Sequence, residues 1–474
     1  PIVALVQEVA RDQTDRNAFQ ELDHMNLFSG VAKWVKTVNV ASRVEDYIDM
    51  AFAAAASGRP GPAVLMLPAD LLVEPYVEEA ERKVSLGHFP LDRVAPDPAR
   101  VAEAADLLAN AERPLVIAGG GVHSSGGCAE LAELQAACSL PVATTPMGKG
   151  TVSERHPLSV GIVGYYMGFN GRTHHLRDLV TEADVVLLVG NRTNQNGTDS
   201  WKLYPKDARY IQIDIDGEEI GRNYEALRLA GDARLALAAL SDELKKRDLA
   251  RRQAGRKALE DKIADGHAKF LAGSEALRTS SRAPIRPERL MEELAPRLRA
   301  DDIVVADASY SSNWISNYLV AEEAGQRFLT PRGLAGLGWG LPMAMGAKVG
   351  NPDKRIICLA GDGGFAHCWV ELETARRMGL AVTLMVLNNQ ILGYQKHAES
   401  LRFGMHTDAV HFEPVDHAAI ARACGLPGIR VERADEIGPA LDEALANQSQ
   451  TTQIDVMTDP DAHPPITLFE DLQN

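Results

Sequence analysis

The feature that most constrains this chain is a short acidic turn, Gly361-Asp362-Gly363, which is followed after 24 intervening residues by Asn388-Asn389. Apolar runs at 355–360 and 381–387 precede the two turns and are typical of buried parallel strands. Residues 369–378 between them have helical spacing, so the segment predicts one βαβ unit. Because a right-handed crossover brings both strand ends to one edge of the sheet, we expect the two turns to meet there.

The residue types in these turns point to a bound diphosphate held through a metal ion. Asp362 and Asn389 offer the oxygen ligands that Mg²⁺ prefers, and Mg²⁺ usually completes its shell with ligand phosphates. Glycines beside the aspartate let phosphate oxygens approach backbone N–H groups. Either turn alone would be an ordinary loop, and the prediction comes from finding both at this spacing.

The pattern resembles the thiamine diphosphate (ThDP) binding motif. In that motif the aspartate, the second asparagine and a backbone carbonyl two residues later bind Mg²⁺, and the resemblance gives these roles to Asp362, Asn389 and Ile391. It also implies cofactor contacts from the other residues of the two turns, namely Gly361, Gly363, Gly364, Leu392 and Gly393.

Two further segments resemble cofactor-binding parts of the same family. Residues 331–342 are similar to the loop before the helix that supports the thiamine ring, which implies that the backbone of Gly336 faces the 4′-amino group. Leu337 would bend the cofactor and so bring its aminopyrimidine nitrogen next to the reactive carbon. Residues 307–312 precede a helix start, where N–H groups favour an anion. Tyr310 and Ser311 would contact the diphosphate through their backbone, because acetohydroxyacid synthases usually carry Gly-Gln-His here and this chain has Ser-Tyr-Ser.

The resemblance implies an α/β fold of three doubly wound parallel-sheet domains. We predict the C-terminal part of a pyrimidine-binding domain at 1–80, a central Rossmann-like domain at 95–245, a helical linker at 246–284 and a diphosphate-binding domain at 285–474. Residues 18–21, Lys33-Trp34 and the turn at 58–62 carry the likeness of the first part to the acetohydroxyacid synthase and pyruvate oxidase group.

The first domain is expected to be truncated at its N-terminus. The family glutamate that promotes the amino/imino shift of the cofactor would lie before residue 1, because no glutamate in 1–80 sits in its motif. We expect the native protein to carry this segment, since a sheet without its first strands would expose long edges. The resemblance gives Gln20 a catalytic role beside Leu337, and it suggests Phe19, Tyr394 and His397 for the substrate pocket.

The ligand of the central domain stays open. Gly119 and Gly120 follow a predicted strand, and Asp214 ends another, which is a weak nucleotide pattern. The equivalent family domain binds FAD in acetohydroxyacid synthases, holds ADP and part of CoA in oxalyl-CoA decarboxylase, and is empty in other members. Arg192 matches an arginine of the family segment that contacts flavin, but residues 193–196 lack the acidic pair of that segment.

The leading functional prediction is ThDP- and Mg²⁺-dependent decarboxylation and carboligation of 2-oxo acids, resembling acetolactate synthase. Ala398 stands where acetohydroxyacid synthases place a pocket tryptophan, so their substrate selectivity does not carry over. One alternative is a lyase of the 2-hydroxyacyl-CoA or oxalyl-CoA decarboxylase type, because residues 21–26 resemble the latter. The other alternative is a non-catalytic subunit with this fold.

The composition of the chain limits the classes of partner that we expect it to bind. The 474 residues include 49 basic and 65 acidic side chains, a net charge of −16, so nucleic acid is not an expected partner. No apolar run is long enough to span a membrane. The five cysteines form no CxxC pair, which favours free thiols in a reducing cytoplasm. The family builds its sites across subunits, so a homodimer or homotetramer that takes a 2-oxo acid or an acyl-CoA is expected.

Overall fold

A computed structural model describes residues 1–75 and 85–472 of the chain. Residues 76–80 of the predicted first domain, and residues 473–474 of the last, lie outside this range. The chain forms two compact units. The N-terminal unit comprises Pro1–Ala95 with the short segments Ile215–Gly217 and Ala230–Asp232, and the larger unit comprises the remainder.

The N-terminal unit contains a three-stranded parallel sheet in the order β1-β3-β2. Its elements are β1 (Ile2–Glu8), α1 (His24–Ser29), β2 (Trp34–Thr37), α2 (Val44–Ala56) and β3 (Pro62–Pro68). The middle strand β3 is the most apolar and the most buried, as expected for a strand with neighbours on both sides. Helix α2 packs on the sheet through small residues, because Ala51 and Ala55 are buried.

The first half of the larger unit is built around a six-stranded sheet in the order β6-β5-β4-β7-β8-β9. Strands β4 to β8 pair in parallel, and every residue of β7 is buried. The elements are α3 (Pro98–Asn110), β4 (Pro114–Ala118), α4 (Gly120–Ser125), α5 (Cys128–Ala137), β5 (Val142–Thr144), β6 (Ser159–Ile162), α6 (Asp178–Thr181), β7 (Val185–Val189), β8 (Arg209–Asp214), β9 (Ala226–Ala230) and α7 (Ala233–Leu244).

A long helix, α8 (Ala250–Arg278), occupies most of the predicted linker. Its buried residues are Ile263, Gly266, Phe270 and Ser274, which are spaced by three or four positions. This spacing places them on one face, so the helix packs along a narrow stripe and leaves most of its charged residues exposed or half-buried.

The second half of the larger unit is a parallel six-stranded sheet in the order β11-β10-β12-β13-β15-β14. Strands β12 and β13 are neighbours, as the βαβ pattern predicts. The elements are α9 (Pro287–Leu294), β10 (Ile303–Ala306), α10 (Tyr310–Tyr318), β11 (Phe328–Leu329), α11 (Gly340–Gly350), β12 (Ile356–Gly361), α12 (Asp362–Phe365), α13 (Glu371–Arg377), β13 (Thr383–Asn388), α14 (Gly393–Phe403), α15 (His417–Ala423), β14 (Gly428–Val431), α16 (Ile437–Ala446) and β15 (Thr452–Met457).

The predicted fold class is confirmed, since the chain is α/β with three parallel sheets. Within the larger unit the two six-stranded sheets share apolar core, because Tyr166 and Phe270 belong to one buried cluster with Trp314 and Tyr318. All five cysteines are free thiols. Among the helices of 1–75 and 85–472, not one combines the length and the apolar character needed to cross a membrane.

Candidate functional site

The carboxylate of Asp362 joins the two predicted turns at the edge of the sheet. Oδ1 accepts a hydrogen bond from the N–H of Gly363 at 2.7 Å, and Oδ2 accepts one from the N–H of Gln390, also at 2.7 Å. The side chain is only 6% exposed, and this burial raises its pKa to about 6. In the described part of the chain, Asp362 forms no ion pair with a basic side chain. Among the described residues, the hydrogen-bond donors to this buried carboxylate are neutral backbone N–H groups.

The two asparagines have different tasks. Asn388 is buried and braces the sheet, because its Nδ2 donates to Asp455 Oδ1 at 3.0 Å and to the Val415 carbonyl at 2.9 Å. Asn389 begins the turn, and its Oδ1 accepts from the N–H of Ile391 at 3.2 Å. Gln390, which stands between Asn389 and Ile391, has a left-handed backbone with φ +58°. This bend lets the N–H of Gln390 reach the Asp362 carboxylate while Asn389 stays beside that carboxylate.

Glycines form the wall next to the Asp362 carboxylate because neighbouring atoms lie too close to their backbone to leave room for a side chain. A Cβ on Gly364 would lie 2.5 Å from Asp307 Oδ2, and one on Gly363 would lie 2.9 Å from Leu392 Cδ2. A Cβ on Gly393 would lie 3.0 Å from the Tyr310 ring. These turns border a cavity of about 900 Å³. The predicted residues that line it are Tyr310, Ser311, Leu337, Gly361, Asp362, Gly363, Gly364, Asn389, Ile391, Leu392, Gly393 and Tyr394.

Helix α10 presents its first turn to the same cavity. Ser309, just before the helix, has φ +65° and ψ −138°, a conformation that glycine adopts easily and serine does not. Tyr310 and Ser311 of the first turn line the cavity, and the first N–H groups of a helix have no acceptor within the helix, which is the arrangement expected for an anion site. Tyr310 fixes this end of the helix, because its hydroxyl lies 2.6 Å from His397 Nδ1 and 3.2 Å from the Gly393 carbonyl.

Asp307 organises the loop before α11, a role of its side chain that was not predicted from the sequence, although residues 307–312 were predicted to contact the diphosphate. It is 1% exposed, and it accepts hydrogen bonds from the N–H groups of Gly338 at 3.0 Å and Trp339 at 3.2 Å. Burial raises the pKa of this carboxyl, and the backbone N–H groups oppose that shift. The loop leaves Gly336 in open space and Leu337 43% exposed on the cavity wall. The one sequence signal for Asp307 is its position directly after the buried strand β10.

Of the two suggested pocket residues on α14, only one reaches the cavity. Tyr394 is 38% exposed and lines it, whereas His397 is 6% exposed and packs behind the Tyr310 ring. Burial lowers the pKa of His397 to about 4, so it is neutral at physiological pH. Phe469 near the C-terminus packs against both Tyr394 and His397. The last described residues therefore support this wall.

The glycines proposed for nucleotide binding pack against protein. A Cβ on Gly119 would lie 2.3 Å from the carbonyl oxygen of Gly190, and one on Gly120 would lie 3.1 Å from Met147 Cβ. Close chain packing thus accounts for both positions. Arg192 is exposed and Asp214 is buried at the end of β8, and neither lines the cavity described above.

Phe19 and Gln20 belong to the N-terminal unit. Both are exposed and lie in a turn before α1, where Gln20 has a left-handed backbone with φ +64°. The side chain of Glu21 closes this turn by accepting from the N–H groups of Asp15 and Ala18.

The residues at the cavity fit a Mg²⁺-bound diphosphate. Asp362 and Asn389 bring hard oxygen ligands, and a divalent cation would supply the positive charge that the buried carboxylate lacks. The glycine turns and the first turn of α10 provide N–H groups where phosphate oxygens would lie.

Two family profiles match the larger unit. The profile of the thiamine pyrophosphate enzyme central domain covers residues 101–240. The profile of the thiamine pyrophosphate enzyme C-terminal TPP binding domain covers residues 307–456, which include both turns. Thiamine pyrophosphate is another name for ThDP.

Whole-chain relatives agree with these matches. A probable acetolactate synthase large subunit of Methanococcus aeolicus is 31% identical over 97% of this chain and 77% of its own length. Its counterpart in Methanocaldococcus jannaschii is 32% identical with the same coverage. The acetolactate synthase isozyme 2 large subunit of Escherichia coli K12 is 29% identical over 94% of this chain and 77% of its own length. The chain therefore belongs to the thiamine pyrophosphate enzyme family, in the group that contains acetolactate synthase large subunits.

Proposed function

We propose that this protein is a ThDP- and Mg²⁺-dependent enzyme that decarboxylates a 2-oxo acid and joins the remaining fragment to a second carbonyl compound. One observation carries the proposal: Asp362, a buried carboxylate without a cationic partner among the described residues, connects the two turns on the wall of a large cavity. The names of the acetolactate synthase relatives support this choice of reaction.

The roles of the chain's residues follow from their positions. Asp362, Asn389 and the carbonyl of Ile391 would hold Mg²⁺, and the glycine turns would hold the diphosphate. ThDP, when bound, supplies a nucleophilic carbon and an electron sink for decarboxylation. Leu337 on the cavity wall would support the bent cofactor.

Two tyrosines would shape the substrate side. Tyr394 lines the cavity and can offer its hydroxyl to a substrate oxygen. Tyr310 is held in place by its hydroxyl, which donates to the Gly393 carbonyl and lies 2.6 Å from Nδ1 of neutral His397. Walls of this kind exclude water from the reacting groups.

The proposal includes a second copy of the chain and a cytoplasmic location. Leu334 is fully exposed and Leu337 is 43% exposed on the loop that would support the cofactor, so another subunit has apolar surface to cover. The five free thiols agree with a reducing compartment.

The test is release of ¹⁴CO₂ from [1-¹⁴C]pyruvate, with assay of the condensed product, by protein supplied with ThDP and Mg²⁺. We expect release by the wild type and none above background by Asp362→Ala. Equal release from both proteins, or no release from pyruvate and a panel of other 2-oxo acids, would contradict the proposal. Calorimetric titration with CoA addresses the CoA-lyase alternative, for which tight binding would be required.

A further inference from the structure

Arg332 is a buried arginine on the wall of the cavity, and all of its hydrogen-bond partners are neutral. The side chain is 9% exposed. Its Nη1 donates to the hydroxyl of Tyr165 and lies 3.4 Å from Asn313 Oδ1. Its Nη2 donates to the hydroxyl of Ser312 and lies 3.5 Å from the Ser309 carbonyl. The guanidinium is therefore held in place by neutral groups, and within the part of the chain that the structure describes it meets no negative charge.

Other buried arginines of the larger unit are paired with carboxylates. Arg286 is 3% exposed and lies 2.8 Å from Glu288 and 3.4 Å from Asp459. Arg332 forms no ion pair with any acidic residue of 1–75 or 85–472. Tyr165 does not supply the charge, because burial raises the pKa of its phenol well above the usual value. A buried charge without a partner is strongly destabilising, so an anion bound at this site would compensate the guanidinium.

Two buried N–H donors beside the guanidinium also lack acceptors. Nε of Arg332 and Nδ2 of Asn313 have no hydrogen-bond partner among the described residues. The amide of Asn313 is oriented by its oxygen, which accepts from the hydroxyls of Tyr165 at 2.6 Å and Tyr166 at 2.9 Å. Its nitrogen must point away from these hydroxyls. A positive charge with two free donors fits a group that only accepts hydrogen bonds.

We propose that Arg332 and Asn313, positioned by Tyr165, form an oxyanion subsite that binds the carboxylate of the 2-oxo acid. This inference rests on the proposed function. A guanidinium matches a planar carboxylate better than any other cationic side chain does. The other oxyanion that could enter the cavity is the diphosphate of the cofactor.

The position of the subsite favours the substrate carboxylate over the cofactor diphosphate as the bound anion. The metal and diphosphate residues are in the turns after β12 and β13 and in the first N–H groups of α10. Asn313 lies one turn further along α10, and Tyr165 belongs to the segment after β6 in the other half of the unit. The subsite therefore lies between the start of α10, where Arg332 contacts Ser309 and Ser312, and the segment of Tyr165, and it shares one cavity with the glycine turns.

The test measures binding of oxamate, an unreactive carboxylate analogue of pyruvate, by calorimetry with and without ThDP and Mg²⁺. Arg332→Gln should weaken oxamate at least tenfold, and Arg332→Lys, which keeps the charge, should fall between that variant and the wild type. Arg327→Gln is the matched control, because Arg327 is a half-buried arginine outside the cavity lining. It should change the affinity less than twofold, and neutral methyl oxamate should bind all four proteins equally weakly.

Unchanged oxamate affinity in Arg332→Gln would overturn the proposal, as would a wild type that does not bind oxamate. Loss of ThDP affinity in Arg332→Gln with oxamate affinity retained would also overturn it, because the anion would then be the diphosphate. A folding defect is recognised from thermal melting, where oxamate should raise the Tm of the wild type and of Arg332→Lys but not that of Arg332→Gln. If the wild type binds oxamate through Arg332 but releases no CO₂ from any 2-oxo acid, the subsite stands and the proposed function falls.

Discussion

At the scale of single residues, Ser309 shows how the site is built at a cost to the backbone. Its φ of +65° and ψ of −138° are strained for a residue with a Cβ, at about 1–3 kcal/mol. Ser309→Gly should remove the strain. Glycine also increases the entropy of the unfolded chain, which offsets part of the effect, so we expect the free energy of unfolding to rise by roughly 1 kcal/mol.

Urea unfolding measures this gain. Ser316→Gly in the same helix is the control, because this buried position has helical backbone and should lose at least about 0.5–1 kcal/mol on the same change. A loss of stability in both variants would show that Ser309 is not strained.

His397 should make the protein sensitive to mild acid. Its pKa in the folded state is about 4, below the usual 6.5, because burial disfavours the charged ring. Between these pH values the unfolded state binds more protons, so stability falls as the pH drops from 6.5 to 4, by at most about 3 kcal/mol. His397→Gln should flatten this part of the pH profile of unfolding free energy. Exposed His411→Gln is the control, and an unchanged slope in His397→Gln would refute the assignment.

At the scale of elements, Asp307 ties the end of β10 to the loop before α11. Asp307→Ala would leave the N–H groups of Gly338 and Trp339 without their acceptor, so we expect a loss of about 2–4 kcal/mol. The loop should also become more sensitive to proteolysis near Leu337. Limited digestion with mass spectrometry measures this change, with exposed Asp301→Ala as the control. Equal cleavage of both variants would mean that another contact holds the loop.

The sequence predicts the elements well where the pattern is local. Strand β12 (Ile356–Gly361) differs by one residue from the apolar run at 355–360, because an uninterrupted apolar run leaves few other places for a buried strand. Residues from about Val44 to Ala56 have the apolar spacing of a helix, and helix α2 (Val44–Ala56) covers the same span.

Side chains that act over long sequence separations were harder to predict. Asp307 binds N–H groups 31 and 32 positions away, and no periodicity encodes such a contact. Arg332 stands between proline and glycine, a context that usually indicates an exposed loop, and only the tertiary structure shows its burial. His397, suggested for the pocket, sits behind Tyr310 because helix α14 turns that face toward the core.

At the scale of the whole molecule, a buried ion pair in the first half of the larger unit supports a contact with the second half. Lys149 and Glu154 are 1% and 4% exposed and lie 2.6 Å apart, and Glu154 also accepts from the N–H of Ala321 at 2.9 Å. Lys149→Met would leave a buried carboxylate without this partner, so we expect a loss of about 3–5 kcal/mol.

Calorimetric unfolding measures this loss. The exposed pair Lys257 and Asp261 is the control, and Lys257→Met should change stability by less than about 0.5 kcal/mol. Equal effects of the two substitutions would mean that the buried pair does not support this contact.

The central claim is that Asp362 and Asn389 hold ThDP through Mg²⁺, and calorimetric titration of the protein with ThDP tests it most directly. We predict saturable binding in the presence of Mg²⁺, loss of binding in excess EDTA, and at least tenfold weaker binding in Asp362→Asn, while exposed Asp301→Asn behaves as the wild type. ThDP binding of equal strength in EDTA or in Asp362→Asn would contradict the account.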